Sequence, residues 1–222
     1  MGSEDGGDSE KPVQQVKLDS FKISATPVTQ AQYETVMSVN PSEFKDKKNQ
    51  DAGDRPVENV SWNDAMVFCE QLTKLAKGKY RVTLPTEAQW EYACRAGTKT
   101  PFNTGENLTT EQANYNGNHP YKDNPKGKFL KTTTAIGNYP ANEWGLYDMH
   151  GNVLEWCQDK WHGNYQSAPT DGTAWETGES SRRVLRGGGW PDNAQNCRSA
   201  GRSHAAPDDR NAYFGFRLVF VP

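Results

Sequence analysis

The chain has 222 residues, with 25 Lys+Arg against 28 Asp+Glu and a net charge of -3. No stretch approaches the ~18 apolar residues of a membrane-spanning helix, and no basic block suits nucleic acid as a partner. The hydrophobic fraction is 34%, or about 39% with Gly counted and Tyr omitted, below the roughly 45–50% of ordinary globular chains. Mean hydropathy is -0.93, yet seven Trp, nine Tyr and eight Phe are too many for disorder. Together these numbers predict a compact domain with an aromatic core and much irregular polar surface. Four cysteines in a chain this long do not make a disulfide framework.

Residues 1–12, MGSEDGGDSEKP, read as a flexible acidic tail or linker, and residues 13–222 as a single domain. VQQVKLDSFKIS from Val13 alternates loosely, as strands do. A first helix is predicted from Thr29, with Gln32 completing a capping box, to about Val39, before Pro41. A second starts at Ser61, with Asp64 as box partner and Ala65, Phe68, Cys69, Leu72 and Leu75 on one face, and ends at Gly78. A third runs from Thr86, boxed by Gln89, to about Arg95, with Trp90, Ala93 and Cys94 inward and Gly97 beyond its end. Regular structure is then expected to fade until Val184. Turn-forming residues dominate 103–143 and 163–182, and the aromatic-rich segment Trp144–Trp161 is expected to hold these loops down. Val184–Trp190 and Gly215–Val221 read as strands, so strands from both ends should share a sheet. Trp90, Trp144, Trp156 and Phe216 are candidate core residues, and Arg198 and Arg217 candidate braces.

Standard catalytic signatures are missing. The four histidines, His119, His150, His162 and His204, show no metal-binding spacing, and there is no CxxC and no GxSxG. The Gly187–Gly189 run lacks the context of a phosphate loop and reads as a strand edge where backbone passes closely. Asp148 and Glu155 flank a tight Gly-Asn turn, as capping acids or as the start of a hard-cation loop. The tail RGGGWPDNAQNCRSAGRSHAAPDDRNAYFGFR (186–217) mixes arginines, aromatics and short polar residues. It suits either a loop braced by internal ion pairs or a presented binding surface of paratope-like composition.

The blocks PVTQAQYETVM, RPVENVSWNDAMVFCEQL, YRVTLPTEAQWEYACRAG, NEWGLYDMHGNVLEWCQD, RVLRGGGW and GFRLVF resemble, in order, those of the formylglycine-generating-enzyme (sulfatase-modifying factor) family across residues 18–220. That resemblance implies an α+β elaborated C-type lectin fold, with short antiparallel sheets, two main helices and abundant ordered loops. The tail further resembles the variable region of bacterial surface-displayed proteins diversified by retroelements, in which Asn codons of a template are rewritten. The words AQNCRSA, PDxR and GFRL match its fixed parts, over a variable region of about 186–217. The slots would be Gly189, Pro191, Asp192, Asn193, Gly201, Ser203, His204, Ala205, Ala206, Asn211, Ala212 and Tyr213, with Trp190 and Phe214 beside them and Trp190, Tyr213 and Phe214 as anchors.

The family's oxidase holds copper with two tail cysteines. Here Cys197 falls at the second position and Asp192 at the first, and one thiolate is a poor Cu(I) site, so no copper is expected. A family calcium loop matches Asp148 and Glu155 as side-chain ligands and Gly151 and Val153 as carbonyl ligands, giving a structural Ca2+ at most and no required cofactor. The resemblance therefore implies a monomeric, non-enzymatic receptor or adhesin. It would be displayed on the cell surface as a lipoprotein, the acidic tail following a removed signal segment. Its ligand would be a protein or another surface macromolecule, not nucleic acid. The rival readings are an oxidase relative relying on Cys197 and a calcium-dependent glycan-binding module.

Overall fold

The structure is a computed structural model describing residues 1–45, 52–77 and 79–221; Gly78, the expected end of the second helix, lies outside them. Three helices form where the capping signals stand: α1 (Gln30–Met37), α2 (Trp62–Leu75) and α3 (Glu87–Arg95). Each begins with a reciprocal box. The Thr29 hydroxyl accepts from the Gln32 N–H at 3.2 Å while the Gln32 amide oxygen accepts from the Thr29 N–H at 3.0 Å. Ser61 with Asp64 and Thr86 with Gln89 repeat the exchange, satisfying N–H groups that have no partner inside the helix. α2 buries Ala65, Phe68 and Cys69, but Leu75, expected on that face, is 64% exposed because the last turn projects past the core.

Seven short strands make two sheets. β1 (Lys22–Ile23), β2 (Arg81–Thr83) and β7 (Val219–Val221) form one, in the order β1-β7-β2, with Lys22 and Val82 both opposite Phe220. Strands near both ends of the chain therefore do share a sheet. The second holds β3 (Leu154–Lys160), β4 (Arg183–Arg186), β5 (Arg202–Ala205) and β6 (Phe214–Gly215), in the order β5-β4-β3-β6. Its β3–β6 pair is parallel, a departure from the expected all-antiparallel sheets.

Of the stretch from Val13, only Lys22–Ile23 pairs as strand. The expected strand from Val184 stops at Arg186, because Gly187 and Gly188 turn to φ +95° and +71°. The expected C-terminal strand divides between the two sheets as β6 and β7. β3, the centre of the second sheet, was hidden in a segment read as loop. Leu154–Cys157 are all buried, and a strand covered on both faces shows no alternation.

The main core joins α1, α2 and both sheets, with Tyr33 stacked on Phe68 at 5.4 Å and Phe68 edge-on to Phe216 at 5.3 Å. Trp90, Trp156 and Phe216 are wholly buried, as expected. Trp144 is not core: it is 47% exposed and packs outside α3 against exposed Tyr92, ring centres 4.9 Å apart.

The N-terminal segment is no free tail. The Met1 ammonium donates to the Gln14 carbonyl at 2.7 Å and the Gly2 N–H to Glu91 at 2.9 Å. Buried Glu10 receives both arms of Arg198, at 2.9 and 2.5 Å. The acidic residues are there in part to neutralise a buried arginine 188 positions downstream. Removing one partner of such a pair leaves an uncompensated buried charge. Glu10→Ala should therefore cost about 3 kcal/mol or more in urea unfolding, whereas a free tail would register nothing.

Candidate functional site

The tail is a loop system bolted down at its fixed positions. Gly187 and Gly188 take it off β4 in backbone that only glycine adopts freely. A Cβ at Gly188 would stand 2.5 Å from the Cys197 sulfur. Ala194 and Cys197 of the AQNCRSA word are buried among Phe102, Leu108, Tyr115 and Tyr121. The His150 ring donates from Nδ1 to the Cys197 carbonyl at 2.7 Å and accepts the Asn103 N–H on Nε2 at 3.0 Å. That pair of bonds defines one neutral tautomer.

The arginines do the rest. Fully buried Arg186 donates to Glu91 at 2.5 Å, to the Ser199 carbonyl at 3.0 Å and to the Gly201 carbonyl. Arg202 forks onto Glu87 at 2.6 and 2.9 Å. Arg217 forks onto Glu155 at 2.6 and 2.8 Å, and Glu155 also accepts the Trp90 indole N–H at 2.7 Å. Burial pushes the Glu87 carboxyl up, but Arg202 and Arg186 outweigh it and hold the group below the usual carboxylate range. Arg198 and Arg217 are thus braces, as read, joined by Arg186 and Arg202, whose partners lie in α3. The acids Glu10, Glu87 and Glu91 could not be singled out in sequence, because nothing local marks an acid as a long-range partner.

The slots do not all face solvent. Trp190, Pro191, Asp192, Asn193, Asn211, Ala212 and Tyr213 are half-buried and form one surface group. The Trp190 indole donates to the Ala212 carbonyl at 3.1 Å and stands edge-on to Tyr213 at 6.5 Å. Two residues not anticipated complete the group: Phe44, edge-on to Trp190 at 5.7 Å, and Phe129, stacked on it at 6.0 Å. Their one sequence signal is an isolated aromatic inside a polar loop. Asp192 and Asn193 also shape their own turn: Asp192 accepts the Gly189 N–H at 2.8 Å and Asn193 the Asn196 N–H at 2.9 Å. Ser203, His204 and Ala206 are half-buried on and just past β5.

Four positions expected at the surface are buried: Gly189, Gly201, Ala205 and Phe214. Phe214 sits edge-on to Trp156 at 5.4 Å and Ala205 belongs to the main core, because β6 pairs with buried β3 and β5 with buried β4. A Cβ on Gly201 would stand 2.6 Å from the Asn196 carbonyl oxygen, so no side chain fits there without moving backbone. The most exposed tail residues are instead Gln195, Asn196, Asp208 and Arg210 of the fixed words, with Asp209 at the open position of PDxR.

The proposed calcium ligands differ in their free donors. Both Glu155 oxygens accept from Arg217 and one also from Trp90, so Glu155 is a poor match for a calcium ion, which needs carboxylate oxygens free to face it. Asp148, Gly151 and Val153 lie in the turn before it. Asp148 is buried and raised to about 6 by burial, one of its oxygens accepts from Asn152, and the other, Oδ2, has no partner among the described residues. Cys197 is fully buried and its thiol is pushed well above the ordinary range by burial, then by Asp192.

Set beside known proteins, this architecture has a clear place. The sequence model of the sulfatase-modifying factor enzyme 1-like domain matches residues 1–221, and the chain belongs to that family. Its fold is the α+β elaborated C-type lectin fold of formylglycine-generating enzymes. Among solved structures, Treponema denticola variable protein 1 superposes with TM-score 0.85 at 27% identity, over 100% of this chain and 91% of that one. The resemblance of the tail to diversified variable proteins thus extends to the whole fold. PvdO from Pseudomonas aeruginosa superposes with TM-score 0.83 at 30% identity, over 100% and 90%. Of curated relatives, the serine/threonine-protein kinase pkn1 of Chlamydia caviae is 32% identical over 98% of this chain and 36% of its own length. The formylglycine-generating enzyme of Mus musculus is 33% identical over 74% and 44%. The chain spans about a third of the length of the first of these relatives.

Two outcomes follow from the geometry. Burial lowers the His150 ring to about 4, so the folded state excludes the protonated ring. Its contribution is complete above about 6.5 and is lost as pH falls toward 4. Urea-measured stability should decline across that window, and His150→Gln should flatten the decline. Calcium or a chelator should leave Tm unchanged in a thermal melt; a rise with calcium would restore the loop assignment.

Proposed function

We propose that the chain is a non-enzymatic ligand-binding protein that presents a retroelement-diversified surface. One observation carries this reading. Trp190, Pro191, Asp192, Asn193, Asn211, Ala212 and Tyr213, which are separate in sequence, stand together and half-open, while the intervening words are locked by buried arginines. Aromatic groups on a rigid backbone bind at low ordering cost, and Trp190 and Tyr213 are the anchors. The likeness to Treponema denticola variable protein 1 supports the same reading, as does Asp192, which stands where the resemblance puts the oxidase's other tail cysteine. The ligand is a protein or another surface macromolecule, met by a monomer displayed on the cell surface as a lipoprotein.

A display library randomised at Pro191, Asp192, Asn193, Asn211 and Ala212 tests it. Folded variants should emerge that bind unrelated test proteins such as lysozyme. In a selected clone, Trp190→Ala or Tyr213→Ala should weaken binding about 30-fold or more, the ~2 kcal/mol of a hot spot. Randomisation that unfolds the domain would overturn the assignment. So would a genome with no Asn-codon-rich copy of residues 186–217 beside a reverse transcriptase.

A further inference from the structure

The slots on β5 pose a geometric problem. Ser203 stands opposite Leu185, which belongs to the main core, and His204 opposite Val184, which belongs to the cluster beneath α3. Neighbouring side chains on a strand point to opposite faces, so a ligand resting on either face would meet only half of the varied positions. β5 is also an edge strand whose ladder partner is β4 alone. Among the described residues, no main-chain group of Arg202–Ala205 bonds to another main-chain group outside that ladder. One kind of neighbour touches both faces of an edge strand at once, and that is another strand lying in the plane of the sheet.

Resting on the reading of residues 189–213 as a diversified binding surface, we propose that the ligand contributes an extended peptide segment that pairs main chain to main chain with the outer edge of β5. Alternate residues of an edge strand aim their N–H and C=O groups outward, and such groups template strand addition. Ser203 would then flank the added strand on one face. His204 would flank it on the other, ringed by Trp161 at 4.4 Å and by Arg182, whose guanidinium lies 3.1 Å from the His204 ring. The exposed Arg182 favours an acidic or carbonyl-rich residue there. Main-chain pairing is indifferent to side-chain identity, so it supplies a constant share of affinity while Ser203 and His204 vary. The strand's four residues also keep the edge too short for ready self-association.

The probe is a phage library of random linear 12-residue peptides panned against the full chain, with captured peptides resynthesised. Binding should slow hydrogen exchange of β5 amides, and N-methylation of alternate peptide residues should weaken it at least tenfold. Of Ser203→Pro and His204→Pro, the one whose N–H points outward should keep Tm and lose binding tenfold or more. Captured peptides that are insensitive to N-methylation, or that leave β5 exchange unchanged, would overturn the proposal, as would capture of no linear peptide. If folded proteins nevertheless bind through Trp190 and Tyr213, the diversified surface stands and only the edge pairing falls. Failure of both libraries would remove the two together.

Discussion

Everything in this fold leans on arginines held out of water. Arg186, Arg198, Arg202 and Arg217 all issue from the tail and all find acids far away in sequence: Glu91 and Glu87 on α3, Glu10 in the N-terminal segment, Glu155 on β3. Buried ion pairs are weak sources of net stability, because desolvation offsets most of the attraction. Their effect is to penalise every alternative arrangement, since a tail that shifts register strands a charge in an apolar interior. A guanidinium also saturates carbonyls that loops leave open, as Arg186 does for Ser199 and Gly201. A region poor in regular structure is given one conformation in this way without a large apolar core.

The same arrangement holds up a group of half-open aromatics on braced loops. Where the family resemblance places a pair of tail cysteines, this chain has Asp192 and a Cys197 buried beneath Gly188. Asp192 now accepts the Gly189 N–H and tightens the turn that carries Trp190.

Legibility in the sequence followed the range of the interaction. Thr29, Ser61 and Thr86 announced their helices because a capping box is complete within four residues. The cores around Trp90, Trp156 and Phe216 were readable from aromatic content. β3 was not, since a strand buried on both faces has no period to detect, and Glu10 was not, since its partner is Arg198. Most instructive are the slots. The resemblance to a diversified region named which tail positions would vary, but packing and close backbone contact decide which of them face solvent, and those depend on neighbours that no local pattern reveals.

Gly201 has a last consequence. Under the proposed diversification, codons rewritten without regard to space would also place larger residues where a Cβ would collide with the Asn196 carbonyl oxygen. The same blindness would reach Ala205, which is packed in the interior. A share of each generation of copies would then be lost to misfolding before meeting any target. The working repertoire would be smaller than codon arithmetic suggests, filtered first by the cell's quality control and only afterwards by what the survivors can hold.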